Sequence, residues 1–122
     1  MRVCISGGFD IDNTFNISDA IGLSKFHITR IIANNQVGAC RQALIWSGKF
    51  RVKVQLFPIE CRIYGKQAWV KNNQKMALFG NALILVCRCS MDERSRHLLR
   101  CFRQEKKPYY IYYVDDPLTL LQ

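Results

Sequence analysis

No apolar run in this 122-residue chain approaches the length of a membrane span, so no membrane-embedded segment is expected. The opening residues carry one arginine and a very short apolar stretch before Gly7-Gly8-Phe9-Asp10. That does not read as a secretory signal, and a cytosolic location is the expectation. None of the six cysteines stands in a Cys-x-x-Cys pair. Cys4, Cys40 and Cys87 fall on segments that read as buried, which favours buried or idle thiols over disulfides. Cys87-x-Cys89, with Cys101 and His97 nearby, lacks the paired knuckle of a zinc site, so neither a metal nor another cofactor is expected. Acidic residues are scarce, with 9 against 18 basic ones and a net charge of +9. The excess favours an anionic partner such as a nucleotide, a phosphate or a nucleic acid. Part of it, however, runs from Arg94 through Arg96, Arg100 and Arg103 to Lys106 and Lys107 along one expected helix, where a solvated face explains it equally well.

What is present is alternation. At this length one domain is expected, and with 49% apolar residues the chain can bury a core. Arg2–Ser6 reads as a strand. Ile17–Phe26 reads as a helix capped by Asn16 or Ser18, with Ile17, Ala20, Ile21 and Leu23 as its apolar set. Thr29–Ala33 is a second strand, and Gly38–Ser47 a second helix ended by Gly48. Arg51–Phe57 alternates apolar with basic residues as a third strand stopped by Pro58. Lys66–Phe79 reads as a helix, and the unbroken apolar run Ala82–Cys87 as a central strand covered on both faces. Asp92–Arg103 is a helix capped by Ser90 or Asp92. Tyr109–Val114 is a last strand, followed by a tail over 115–122. The pattern predicts an α/β fold: one doubly wound, Rossmann-like sheet of about five mostly parallel strands with helices on both faces.

In such a sheet, ligands bind at the carboxyl ends of the strands. The segments there are Ser6-Gly7-Gly8-Phe9-Asp10, then Asn34-Asn35-Gln36-Val37-Gly38, then Pro58 to Tyr64, then Arg88-Cys89-Ser90. Glycines let a backbone approach a phosphate or ribose, though a strand-ending turn uses them too. The second loop opens a helix whose free N–H groups suit an anion, and its amides suit a base edge or ribose hydroxyls. A polar, Asn-capped turn accounts for the same residues. In the stretch 62–73, Tyr64 or Trp69 suits base stacking, Arg62, Lys66 and Lys71 suit phosphate, and Asn72 and Asn73 add amides. An exposed basic helix with one tucked aromatic is the plain alternative. Asp10 is placed to bond ribose hydroxyls or simply to make a turn.

Three motifs in register resemble the YspA-like branch of the SLOG superfamily, Rossmann-like nucleotide-binding proteins related to the Lonely Guy phosphoribohydrolases and the DNA-processing protein DprA. The family's Gly-Gly-Arg-Asp-Tyr stands here as Gly7-Gly8-Phe9-Asp10-Ile11. Its Gly-Gly-Ala-Arg-Gly-Ala-Asp, followed by Ala and Trp, stands as Asn34 to Cys40 followed by Ala43 and Trp46. Its Tyr-Gly-Lys-x-Ala-Gly-x-x-Arg-Asn-x-x-Met stands as Tyr64 to Met76. The resemblance spans about residues 1–114. The family's Arg and Asp of the second motif are Val37 and Cys40 here, and the Arg of the third is Asn72. The Pro-Gly-Gly-x-Gly-Thr turn and glutamate of the phosphoribohydrolases are absent, and no carboxylate stands where N-glycosidic cleavage needs one.

The resemblance therefore implies a pocket that holds a nucleotide-derived molecule, such as an ADP-ribose or cyclic nucleotide signal, without turning it over. A small stand-alone version with rebuilt loops is similar to what a virus would use, in the host cytoplasm, to sequester a bacterial immune signal. The site residues so implied are Ser6, Gly7, Gly8, Phe9, Asp10, Asn34, Asn35, Gln36, Gly38, Arg62, Tyr64, Lys66, Lys71, Asn72, Asn73, Arg88 and Ser90. A ribosyl-cleaving or ribosyl-transferring enzyme and a nucleic-acid-binding module are the alternatives. A homo-oligomer built on apolar surface near Trp46, Trp69 and Phe79 is a further expectation, against which core packing also explains Trp46.

Overall fold

The run 82–87 is buried along its whole length and forms an interior strand of the sheet. The computed structural model describes residues 1–114; the expected tail lies outside the described residues. Five strands, β1 (Arg2–Gly7), β2 (Arg30–Ala33), β3 (Lys53–Leu56), β4 (Ala82–Cys87) and β5 (Tyr109–Tyr113), make one sheet in the order β3-β2-β1-β4-β5. Every pairing is parallel. The fold is thus the expected α/β doubly wound one. The chain winds outward from β1 to β3, then crosses back to β4, so its topological switch point lies between β1 and β4.

Helices cover both faces because alternate strand residues are apolar on both. Val3, Ile5, Ile31, Ala33 and Ile84 pack under α1 (Thr14–Ser24) and α2 (Ala39–Phe50). Cys4, Ile32, Leu83 and Leu85 pack with Met76 of α4 (Ala68–Phe79) and Phe102 of α5 (Glu93–Gln104) on the other face. A four-residue helix, α3 (Cys61–Tyr64), and a 3-10 turn (Gly65–Gln67) lead into α4. Among the described residues no helix is long and apolar enough to cross a membrane.

Several element ends differ from expectation. α1 starts at Thr14, because the extended Asn13 presents its side chain to the Phe15 N–H at 2.9 Å; neither Asn16 nor Ser18 is the cap. α2 runs through Gly48 to Phe50, where the Trp46 ring packs on the Phe50 ring at 4.8 Å and Arg51 (φ 55°) takes the left-handed cap. β3 is only four residues long and exposed throughout, as an edge strand is. The helix expected from Lys66 begins at Ala68, since Gly65 (φ 58°) and the 3-10 turn interrupt it. Trp46 belongs to the core.

An alanine Cβ at Gly48 would meet nothing within 4 Å. Gly48→Ala is therefore expected to stabilise the fold by about 0.5–1 kcal/mol through helix propensity alone. A higher urea midpoint with an unchanged slope is the expected result; a lower midpoint would show that α2 ends before Gly48.

Candidate functional site

Because every strand runs the same way, the loops after β1, β2, β3 and β4 all open on the carboxyl edge, together with the starts of α1, α2, α4 and α5. At the switch point they meet in a narrow crevice. Ser6 and Gly7 from β1, Asn34 just after β2, Trp69 and Asn73 from α4, and Asp92, Arg94 and Ser95 around the start of α5 line it, together with Phe9, Gln36 and Ile59. Its free volume is about 10 Å³, room for about one water.

The glycines explain this tightness. At Gly7 (φ 149°) a Cβ would lie 1.9 Å from the Val86 carbonyl oxygen. At Gly38 (φ 85°) it would lie 2.3 Å from the Gly8 carbonyl oxygen and 2.6 Å from the Phe9 Cα. Both glycines thus let one stretch of backbone pass against another. The Ala39 N–H donates to the Gly8 carbonyl at 3.0 Å and the Gly8 N–H to the Val86 carbonyl at 3.1 Å, locking the first loop against β4 and the start of α2.

Beside the crevice lies a wider cleft of about 540 Å³, within the size range of nucleotide-sized ligand sites. Asn35 and Gln36 form one wall, Ile59, Cys61, Gly65 and Lys66 another, and Trp69 and Arg94 the boundary shared with the crevice. The walls are tied together by the Ile59 N–H, which donates to Asn35 Oδ1 at 3.1 Å, while the Gln36 N–H donates to Asn34 Oδ1 at 2.9 Å within the loop after β2. Trp69 meets the His97 ring edge-on at 5.2 Å, and the Arg94 guanidinium stands 5.7 Å from the indole centre. Asn73 is buried and holds this corner from below, donating to the Arg94 carbonyl at 3.1 Å and lying 3.1 Å from His97 Nδ1.

Of the residues singled out in the sequence, Ser6, Gly7, Phe9, Asn34, Gln36 and Asn73 line the crevice, and Asn35, Gln36 and Lys66 line the cleft. Others have different work. Arg88 reaches back to the first loop, 3.4 Å from Asp10 Oδ2 and 3.8 Å from Asp12 Oδ1, so Asp10 and Arg88 pin two loops to each other. Asn72 donates to the Phe57 carbonyl at 2.9 Å and anchors α4 to the end of β3. Tyr64 faces the Lys75 ammonium at 5.1 Å, while Arg62, Lys71 and Ser90 are exposed outside both spaces. Gly8 and Gly38 serve the backbone packing described above. Sequence reasoning passed over Arg94, read as part of a solvated face, and over Asp92 and Ser95 as site residues; Ile59 and Cys61 fell within the loop 58–64 that it placed at this edge and Gly65 within the third motif, but none of the three was singled out. The available signal was the cap: Asp92 accepts from the Ser95 N–H at 2.7 Å, which sets the first turn of α5, and with it Arg94, at the edge where β4 ends.

Burial controls the titratable groups. It raises the Cys40 thiol, although a contact with Ser6 Oγ at 3.4 Å partly offsets this. Cys87 is pushed up to about 12 by burial and then by the Asp92 and Asp10 charges. These thiols stay protonated near neutral pH and are poor nucleophiles there. Among the described residues no group of three or more His, Cys, Asp or Glu side chains is arranged to hold a metal ion.

His97 is held below its usual 6.5, first by burial and then by the Arg100 charge. An unfolded chain takes up that proton first, so stability is fully present above the unfolded value and is lost as pH falls through the lower folded value. His97→Asn is expected to flatten the fall in unfolding free energy below about pH 6.5, measured by urea titration at several pH values. An unchanged slope would show that the imidazole takes up its proton as readily folded as unfolded. Comparison with family models, curated proteins and solved structures finds no match for this chain.

Proposed function

We propose that this chain binds a nucleotide-derived small molecule in the cleft beside the switch point and holds it without turnover. The observation that carries this reading is the convergence, around about 540 Å³, of an aromatic ring (Trp69), two cations (Lys66 and Arg94) and the amide side chains of Asn35 and Gln36. Trp69 offers a stacking surface for a base, the cations suit phosphate, and the amides suit ribose hydroxyls or a base edge. The ligand sits in the cleft rather than the crevice, since the crevice has no room for a sugar.

Retention without chemistry is supported by how the reactive groups are engaged. Asp92 is the carboxylate lining the crevice, and it accepts the Ser95 N–H as a helix cap. The groups that line the cleft are chiefly donors, acceptors and a ring. In the SLOG-like reading, the ligand class is an ADP-ribose or cyclic nucleotide signal, and a viral sponge for such a signal needs affinity alone.

The test is calorimetric titration of the full chain with ADP-ribose, cyclic ADP-ribose isomers and cyclic dinucleotides, followed by mass spectrometry of what heat denaturation releases. Saturable heat and intact release are expected. Absence of heat with every probe would overturn the binding reading; release of a cleaved product would overturn retention and make the chain an enzyme.

A further inference from the structure

The amino edge of the sheet, at the far end from the cleft, carries a row of cations. Arg2, Arg30 and Lys53 open β1, β2 and β3, and the register sets Arg2 against Arg30 and Arg30 against Lys53. Residues in register on neighbouring parallel strands leave the same face, with strands about 4.8 Å apart, so the three charges span about 10 Å. Like charges side by side on a sheet destabilise it. Arg51 adds a fourth, and the four line an open groove of about 650 Å³ with Ile28, Thr29 and Val52.

Little in the fold neutralises this row. Arg2 Nε donates to the Phe79 carbonyl at 2.7 Å, and its guanidinium stands over the Phe79 ring at 4.8 Å. The side chains of Arg30, Arg51 and Lys53 make no hydrogen bond or ion pair with any described residue; the ion pairs there join Lys75 to Glu60 and Arg88 to Asp10 and Asp12. The described carboxylates lie mostly at the other end: Asp10, Asp12, Glu60, Asp92 and Glu93 belong to loops and helix starts of the carboxyl edge. Asp19 lies within α1, and Glu105 closes α5. A cation in the last turn of a helix, such as Lys49, answers the helix dipole. Arg2 answers the carbonyl end of α4 in this way through Phe79, whereas Arg30 and Lys53 stand on strands, where net dipoles are small, and bond no helix end.

We propose that this row docks the phosphate backbone of a single-stranded nucleic acid. A linear array of cations in a groove follows successive phosphates better than it encloses one. A duplex or an acidic membrane is the competing polyanion; three in-register charges within about 10 Å match a few phosphates of one strand, which favours the single strand over either broad surface. The surface is separate from the cleft and stands whether or not a nucleotide binds there.

The test is fluorescence anisotropy of the full chain with a labelled oligothymidylate of about 16 nucleotides at several salt concentrations. For three to four neutralised phosphates, the slope of log Kobs against log salt should be about −2 to −3. Arg30→Ala and Lys53→Ala should each reduce its size by about 0.7 and weaken binding, while Arg41→Ala, exposed in the first turn of α2 and outside the groove and the cleft, leaves both unchanged. Circular dichroism and the nucleotide titration above check that the amino-edge variants are folded. Unchanged affinity and slope in folded Arg30→Ala and Lys53→Ala would overturn the proposal. Stronger binding to duplex DNA, or to phosphatidylserine vesicles, than to the oligothymidylate would overturn it as well. A response to inorganic phosphate equal to that to the oligonucleotide would reduce the row to a simple anion site and likewise overturn it.

Discussion

Replacing Gly7 by alanine is expected to cost on the order of 3 kcal/mol of stability or more. The added Cβ would stand 1.9 Å from the Val86 carbonyl oxygen, 2.7 Å from its carbon and 2.9 Å from the Val86 nitrogen. All three atoms are backbone of the neighbouring central strand, so no side-chain rotation relieves the overlap. β1 pairs with β4 from Val3–Ala82 to Gly7–Val86, so moving them apart disturbs the middle of the sheet. The φ of 149° adds a conformation that alanine rarely adopts. Against a total stability of about 5–15 kcal/mol for a small domain, such a loss leaves a marginal protein. A urea midpoint far below that of the native chain, with a similar slope, is the expected readout. A change smaller than about 0.5 kcal/mol, the range of an ordinary surface substitution, would show that the end of β1 yields and that the crevice is not rigid.

The second large effect is expected on binding. Trp69→Ala should weaken affinity for a nucleotide probe by about tenfold to a hundredfold, as removal of a stacking ring does for a base. Trp69→Phe should retain most of the affinity, because a flat ring remains. The chain has two tryptophans, and Trp46 lies in the core on the α1–α2 face. Quenching of indole fluorescence by the probe should therefore vanish in Trp69→Phe while emission from Trp46 persists. If Trp69→Ala binds ADP-ribose as tightly as the native chain, the ring is only a brace for His97 and Arg94. The nucleotide reading would then lose its main support.

The glycines show how sequence and structure divide the explanation. Gly7-Gly8 and Gly38 were legible as places where a backbone must come close to something. That something is backbone: β4 for Gly7 and the first loop for Gly38. Two adjacent asparagines diverge in the same way. Asn72 and Asn73 sit about 100° apart around a helix, so one bonds the end of β3 and the other the start of α5. The cation chosen from the loop after β4 was Arg88, which is bound by Asp10 and Asp12, whereas Arg94 on the following helix reaches the cleft. The helix α3 left no periodic trace, since four residues make barely one turn.

The residue pattern alone determined the strand-helix alternation, the buried strand over 82–87, a cap at Ser90 or Asp92 and the edge of the sheet where loops gather. Each of those rests on neighbours in the chain, where side-chain period, turn sterics and burial act over a few residues. Only the tertiary structure decided that the switch-point crevice is nearly full and the open space lies beside it under Trp69 and Arg94. It alone also ranked Arg2, Arg30 and Lys53 side by side. Strand register and loop-to-loop approach join residues tens of positions apart, and no local preference encodes which of them meet.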